Sequence, residues 1–319
     1  MYGFHEYGNM IRDRVRTEAY KEAIDRTLTP ESVVLDLGAG TGAFALYAAI
    51  RGARKVYAVE TSPLIEYGRR EALRLGLEDR IEFFHGASED FHPSERANLL
   101  ISDLRGALPF LGGAFATLAD ARSRLLTRDA FLLPQRDSLW VAPVSDAGWY
   151  SRQIETPWIE NALGLELPVL REAEGSAPRR PPPTGLEPAL PGQRFGIIDY
   201  AAASQALQPA DLAWEAPSAT TLHAWLMWFD SELTQGVSMS AAPGARAPWV
   251  YGRLVLPLSR PLELAAGDTL GLRISVWPVA GDFAYTWRTQ VADSQGACKA
   301  MLSQNSAAEL FLASRSCAS

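Results

Sequence analysis

A glycine-rich turn constrains this chain more than any other feature. Gly38-Ala39-Gly40-Thr41-Gly42 follows the apolar run Ser32-Val33-Val34-Leu35-Asp36-Leu37 and precedes a helix-like segment at 43–51 that stops at Gly52. Glycines at a strand-to-helix junction permit a tight turn and let a ligand approach the backbone. The first helical N–H groups beyond it are free to meet a polar or anionic group. Glu60 closes the next strand-like run, Lys55-Val56-Tyr57-Ala58-Val59-Glu60, and a carboxylate there can accept from both hydroxyls of a ribose. These parts together predict an adenosine site.

The rest of the first half repeats the alternation. Ile11, Val15, Ala19 and Ala23 recur every four residues, which predicts one helix over 9–24. Ser62-Pro63 opens another, running to about Gly76, as an N-cap with proline at the first helical position. Arg80–Phe84 and Asn98–Asp103 add further strands. Strands alternating with helices predict a parallel sheet covered on both faces.

The pattern changes after Pro134. Short strand-like runs appear at Ser138–Val144, Thr221–Phe229, Arg253–Leu258, Leu270–Trp277 and Ala284–Val291, separated by turns such as Ala266-Gly267-Asp268 and Ala280-Gly281-Asp282. This predicts a β-sandwich or barrel over 135–319 after a nucleotide-binding unit over 1–134. Arg179-Arg180-Pro181-Pro182-Pro183 marks a stiff proline-rich loop at 175–192, and the small polar tail after Ser314 reads as frayed.

Composition narrows the partners. A net charge of −7 disfavours a nucleic-acid backbone as the main partner, because phosphate binding needs clustered Lys and Arg. Cys298 and Cys317 fit neither a disulfide framework nor a metal spacing, so no metal is expected and the chain reads as cytoplasmic. The opening MYGFHEYGNMIRD lacks an apolar core, so no signal peptide is expected, and no apolar stretch is long enough to span a bilayer.

The turn alone leaves the cofactor open. With Ala43 it also reads G-x-G-x-x-A, a dinucleotide fingerprint. Three features favour S-adenosylmethionine. Asp36 stands two residues before Gly38, where a carboxylate can meet the cationic end of a methionine moiety. The glycines are packed as G-x-G-x-G. The third strand leads to Gly86-Ala87-Ser88-Glu89-Asp90, a polar loop suited to an adenine amino group.

Three motifs resemble the protein arginine methyltransferases. They are Met10-Ile11-Arg12-Asp13-Arg14-Val15-Arg16-Thr17, Val34–Gly42 and Gly52-Ala53-Arg54-Lys55-Val56-Tyr57-Ala58-Val59-Glu60. The resemblance implies an α/β Rossmann-like class I methyltransferase domain followed by a β-barrel-like domain. It implies S-adenosylmethionine as cofactor, with Arg16 on the methionine carboxylate, Met10 near the sulfonium, Glu60 on the ribose and Glu89 on the adenine. It also implies a homodimer docked through a barrel arm, for which 152–174 is the candidate.

The acceptor loop departs from that family, in which two glutamates grip a substrate guanidinium. Here Asp103 stands at the first glutamate position and Gly112 at the second, with Arg105 between them. A guanidinium arrives charged, and burying it without matched carboxylates is costly. Arg105 is expected either to receive an anionic group of the acceptor or to pair with Asp103 or a nearby glutamate. Where the family has a histidine partner for the acid at Asp13, this chain has Trp249-Val250-Tyr251. Asp103 is the expected orienting or proton-accepting group, with His5 of the N-terminal lid and Tyr251 as further catalytic candidates.

The reading expected first is methyl transfer to a nitrogen, or secondarily an oxygen, of a small-molecule acceptor. The alternative is a protein arginine methyltransferase whose acceptor site is rebuilt around another carboxylate, such as Glu155, Glu160 or Asp230. A third possibility is a silent, cofactor-binding assembly partner.

Overall fold

In the computed structural model of the chain, the described residues are 3–181, 185–202, 207–279 and 282–307. Pro182 and Pro183 of the proline-rich loop, Ala280-Gly281, Cys317 and the tail after Ser314 lie outside them.

Two helices open the chain, α1 (Phe4–Arg12) and α2 (Arg14–Thr27). The sequence predicts one continuous helix here. Asp13 interrupts it by taking an extended conformation, with ψ 96°. Its side chain then caps α2 by accepting from the Arg16 N–H at 3.3 Å, which is what Asp does well at a helix start.

A doubly wound unit follows. Its elements are β1 (Val33–Leu37), α3 (Ala43–Ile50), β2 (Lys55–Glu60), α4 (Ile65–Leu75), β3 (Ile81–His85), β4 (Ala97–Ser102), α5 (Ala114–Asp120) and β5 (Leu126–Leu133). All strands pair in parallel in the order β3-β2-β1-β4-β5. Val33, Val34, Leu35 and Leu37 are all buried, as a strand covered on both faces requires. The strand order reverses between β1 and β4. In such sheets the crevice beyond the carboxyl ends at the reversal is where a ligand fits. The glycine turn leaves β1 there, and Asp103 leaves β4.

Pairing turns antiparallel from β6 (Arg136–Val144) onward. A helical excursion comes next, with α6 (Ala147–Tyr150), α7 (Thr156–Ile159) and α8 (Pro168–Glu174). The chain then builds β7 (Gln193–Asp199), β8 (Ala210–Glu215), β9 (Thr220–Thr234), β10 (Val237–Ser240), β11 (Leu254–Leu264), β12 (Thr269–Val279), β13 (Asp282–Ala292) and β14 (Cys298–Asn305). One sheet runs β10-β9-β6-β7 with β11 also on β9, and the other runs β14-β13-β12-β8. Trp225 and Trp287 are the largest side chains sealed between them, at 0% and 1% exposure.

The five strands expected in this half are present, and β9 and β11 run well past their expected ends. Strands β5, β7, β8, β10 and β14 have no counterpart in the sequence reading. Each carries polar or exposed positions that blur alternation, as in the Thr127-Arg128-Asp129 stretch of β5. No helix among the described residues is long and apolar enough to cross a membrane.

Candidate active site

The crevice at the sheet reversal opens into a cavity of about 880 Å³. Its walls come from α1, α2, the glycine turn, α3, the start of the loop after β4 and the segment before β11. Nine of the sequence-predicted site residues line it, among them Met10, Arg16, Asp36, Gly38, Gly40, Glu60 and Tyr251. Asp103 and Arg105 line it as well.

Glu60 organises one end. Its Oε2 accepts the Gly40 N–H at 2.8 Å and its Oε1 accepts the Ser62 N–H at 2.7 Å. The carboxylate therefore ties the β1 turn to the end of β2 and keeps lone pairs for hydroxyl donors. Gly40 has φ +58°, and a Cβ there would stand 2.5 Å from Cε1 of Tyr7. Only glycine allows both this backbone and the packing of α1 across the turn.

Asp36 lies deeper and is 3% exposed. It accepts the Ala45 N–H at 2.9 Å. Burial outweighs that bond and pushes its carboxyl up to about 7. A buried acid with so little compensation is suited to meet a cationic group in the cavity.

Arg16 faces the same space. Its Nε donates to Asp103 Oδ2 at 2.5 Å, and its guanidinium lies 5.0 Å from the centroid of Phe44. Nη1 reaches only the Met10 carbonyl, at 3.4 Å, and Nη2 makes no hydrogen bond among the described residues. Arg16 thus lines the cavity with donors not taken up by a carboxylate.

Where Asp103, Arg105 and Tyr251 line the cavity, a closed polar cluster backs it. Asp103 receives Arg16 on Oδ2, Arg105 Nε on Oδ1 at 2.8 Å, and the Tyr251 hydroxyl at 2.8 and 2.9 Å. Burial would raise its pKa, but Arg16 and Arg105 together bring it down to about 2. Arg105 donates onward to Asp137 at 3.2 Å, Ser231 at 2.7 Å, and the hydroxyls of Tyr20 at 2.7 Å and Tyr251 at 2.9 Å. Asp137 is fully buried and also accepts from Tyr200 at 2.6 Å.

Several expectations are corrected here. Asp103 is the anchor of this cluster and a weak base, because both its oxygens are filled and its pKa is depressed. Of the two roles expected for Arg105, the structure shows the pairing with Asp103, joined by Asp137, and this leaves it no donor for an anionic group of an acceptor. His5 is exposed on α1 and Glu89 is exposed on a short turn at Ser88–Asp90, and neither lines the cavity. Asp13 needs no histidine, since its Oδ2 accepts the Val250 N–H at 3.1 Å. The second carboxylate on Arg105 is Asp137, on β6, and like Glu155, Glu160 and Asp230 it does not line the cavity. Asp137, Tyr20, Tyr200 and Ser231 carry no motif, and only the fold brings them together. Among the described residues no group of His, Cys, Asp or Glu is placed to hold a metal.

The chain is similar in sequence and in fold to known proteins. A family model of FtsJ-like methyltransferases matches residues 18–134. The chain is 33% identical over 172 residues to a probable protein arginine N-methyltransferase 6 of Arabidopsis thaliana, covering 53% of this chain and 39% of that protein. It is 31% identical over 296 residues to a probable histone-arginine methyltransferase 1.4 of the same plant, covering 85% and 55%. It is 27% identical to protein arginine N-methyltransferase 1 of Schizosaccharomyces pombe, covering 90% and 87%. The chain thus spans about two fifths and about half of the first two relatives.

Among solved structures, the Trypanosoma brucei PRMT1 enzyme-prozyme heterotetrameric complex with AdoHcy superposes with a TM-score of 0.82 at 24% identity, covering 96% of this chain and 98% of that one. Arabidopsis thaliana protein arginine methyltransferase 10 gives 0.81 at 21% identity, covering 95% and 97%. In sequence this chain resembles the protein arginine methyltransferases, and it shares their fold.

Proposed function

We propose that the chain is an S-adenosylmethionine-dependent methyltransferase whose acceptor is a protein arginine side chain. The observation that carries the donor half is the Glu60 carboxylate holding the Gly40 and Ser62 amides at the mouth of the cavity. Glu60 would take the ribose hydroxyls, Asp36 the cationic amino group and Arg16 the methionine carboxylate. The cofactor supplies an electrophilic methyl group, and the chain's task is to align a nucleophile and exclude water. Tyr7 over Gly40 supports a lid role for α1.

The acceptor class follows the relatives, whose names are those of arginine methyltransferases; the small-molecule acceptor expected first has no such support. Labelled S-adenosylmethionine with an arginine-rich peptide tests the reading, and transfer to arginine is the expected result. Titration of the demethylated cofactor product into the protein tests the donor half alone. Product binding with no transfer would favour a second reading, an assembly partner that binds cofactor. The Asp103–Arg105 pair favours that reading specifically, since it leaves no free carboxylate at the acceptor end.

The helical excursion at 152–174 supports a homodimer. It carries Leu163, Leu165 and Val169 at 75%, 53% and 76% exposure, apolar side chains that a partner surface can cover. A docked arm would give it. The division at residue 134 and a cytoplasmic location remain part of the same reading.

A further inference from the structure

Arg105 is held as a bound guanidinium would be held. Its Nε donates to Asp103, its Nη1 to Asp137 and Ser231, and its Nη2 to Tyr20 and Tyr251. A guanidinium has five N–H donors, and five groups receive them here. The planar cation also sits 4.9 Å from the ring centroid of Tyr251, 5.4 Å from Phe229 and 5.8 Å from Tyr20. Its side chain is 2% exposed. Two carboxylates, three rings and three hydroxyls thus converge from α2, the end of β4, β6, β9 and the segment before β11.

A buried cation survives only with such complete compensation. The cluster balances: Arg16 and Arg105 are positive, Asp103 and Asp137 negative. Asp103, Arg105 and Tyr251 also line the 880 Å³ cavity, so the cage and the cavity share a wall.

We propose that this cluster is a guanidinium-binding cage, contiguous with the cofactor cavity, whose resident occupant is the chain's own Arg105. Emptied of that side chain, it takes a free guanidinium ion. On the arginine-acceptor reading, on which this consequence alone rests, Arg105 competes with an incoming arginine for Asp103. It is then the residue that sets how well a cationic acceptor is captured.

The test is chemical rescue of Arg105→Ala. The probe is guanidinium chloride at about 10 mM, far below denaturing levels, against sodium chloride and urea at equal concentration. A ligand that binds only the folded state raises the unfolding midpoint in a saturable way. Guanidinium is expected to raise the Arg105→Ala midpoint by about 3 °C. Wild type should show no such gain, urea should give none, and Asp103→Asn in the Arg105→Ala background should abolish it. Should Arg105→Ala fail to fold, Arg105→Ala with Asp137→Asn removes one uncompensated charge and receives the same titration. An equal response of wild type and variant to guanidinium overturns the proposal, as does an equal response to sodium chloride. Binding of demethylated cofactor product by wild type is measured separately. Its failure would sink the donor reading and leave the rescue result standing.

Discussion

Arg16 and Asp103 meet at 2.5 Å across 87 residues of sequence, with side chains 10% and 9% exposed. The pair joins α2, beside the expected cofactor, to the loop leaving β4. Removing the acid strands two buried guanidinium groups, since Arg105 shares the same carboxylate. Breaking a buried pair this way costs about 3–5 kcal/mol. Asp103→Asn should therefore lower the thermal midpoint by about 10 °C, read by calorimetry. Asp103 titrates at about 2 in the folded chain, against an ordinary 3.8. Its contribution is present above pH 4 and fades as the pH falls toward 2. The penalty of Asp103→Asn should shrink over that window, and a constant penalty would show that charge is not its cause.

Asp36 runs the opposite way. Its folded carboxyl titrates at about 7, against 3.8 unfolded. Between those values the folded state binds the extra proton, so stability from this group is greatest below pH 4 and is lost as the pH rises to 7. Asp36→Asn should flatten that part of the stability curve. A cationic ligand beside Asp36 favours the ionised form, so binding of the demethylated cofactor product below pH 7 should release a proton. Calorimetry in two buffers of different ionisation heat reads the release directly. Identical heats at pH 6 would remove Asp36 from contact with the ligand's amino group.

The turn offers a third prediction. Gly40→Ala places a methyl 2.5 Å from Tyr7 and forces a φ of +58° on alanine. Glu60→Gln weakens the acceptor for two amides and for a ribose. Charge-assisted bonds are worth about 1.5–3 kcal/mol each. Glu60→Gln should therefore weaken cofactor-product binding by at least about tenfold, and Gly40→Ala should weaken it as well by displacing α1. Fluorescence titration reads both losses, and limited proteolysis distinguishes the two, because only Gly40→Ala should also expose α1 to cleavage.

These three residues were legible before any fold was known. Asp36, Gly40 and Glu60 sit at strand ends that hydrophobic runs reveal, and strand ends are where a doubly wound sheet places its ligands. That β1 to β4 form a parallel sheet followed from alternation alone. Beyond the Asp103–Arg105 pair, two residues apart, the cluster around Arg105 was not legible, and the reason is distance in sequence. Tyr20, Asp137, Ser231 and Tyr251 come from four further elements, and no local spacing announces that they will join Asp103 around Arg105. Asp137 in particular reads as one polar residue at the start of a strand. His5 and Glu89 show the converse: a plausible position in a motif does not say which way a side chain faces. Asp13 shows a third limit, since a helical face at every fourth residue continued straight through a cap that divides it.

The arm provides the last prediction. Leu163 and Val169 are 75% and 76% exposed, so neither contributes much to the folding of its own chain. On the homodimer proposed above, a second copy covers that apolar surface. A charge placed there should break the association while leaving the fold intact, because an exposed position tolerates it and a buried interface does not. Val169→Asp should move the protein from dimer to monomer in sedimentation at micromolar concentration, with a thermal midpoint within about 2 °C of wild type once dilution is matched. A wild type that sediments as a monomer at that concentration would remove the dimer from the reading, and would leave the exposed leucines and Val169 to a different partner.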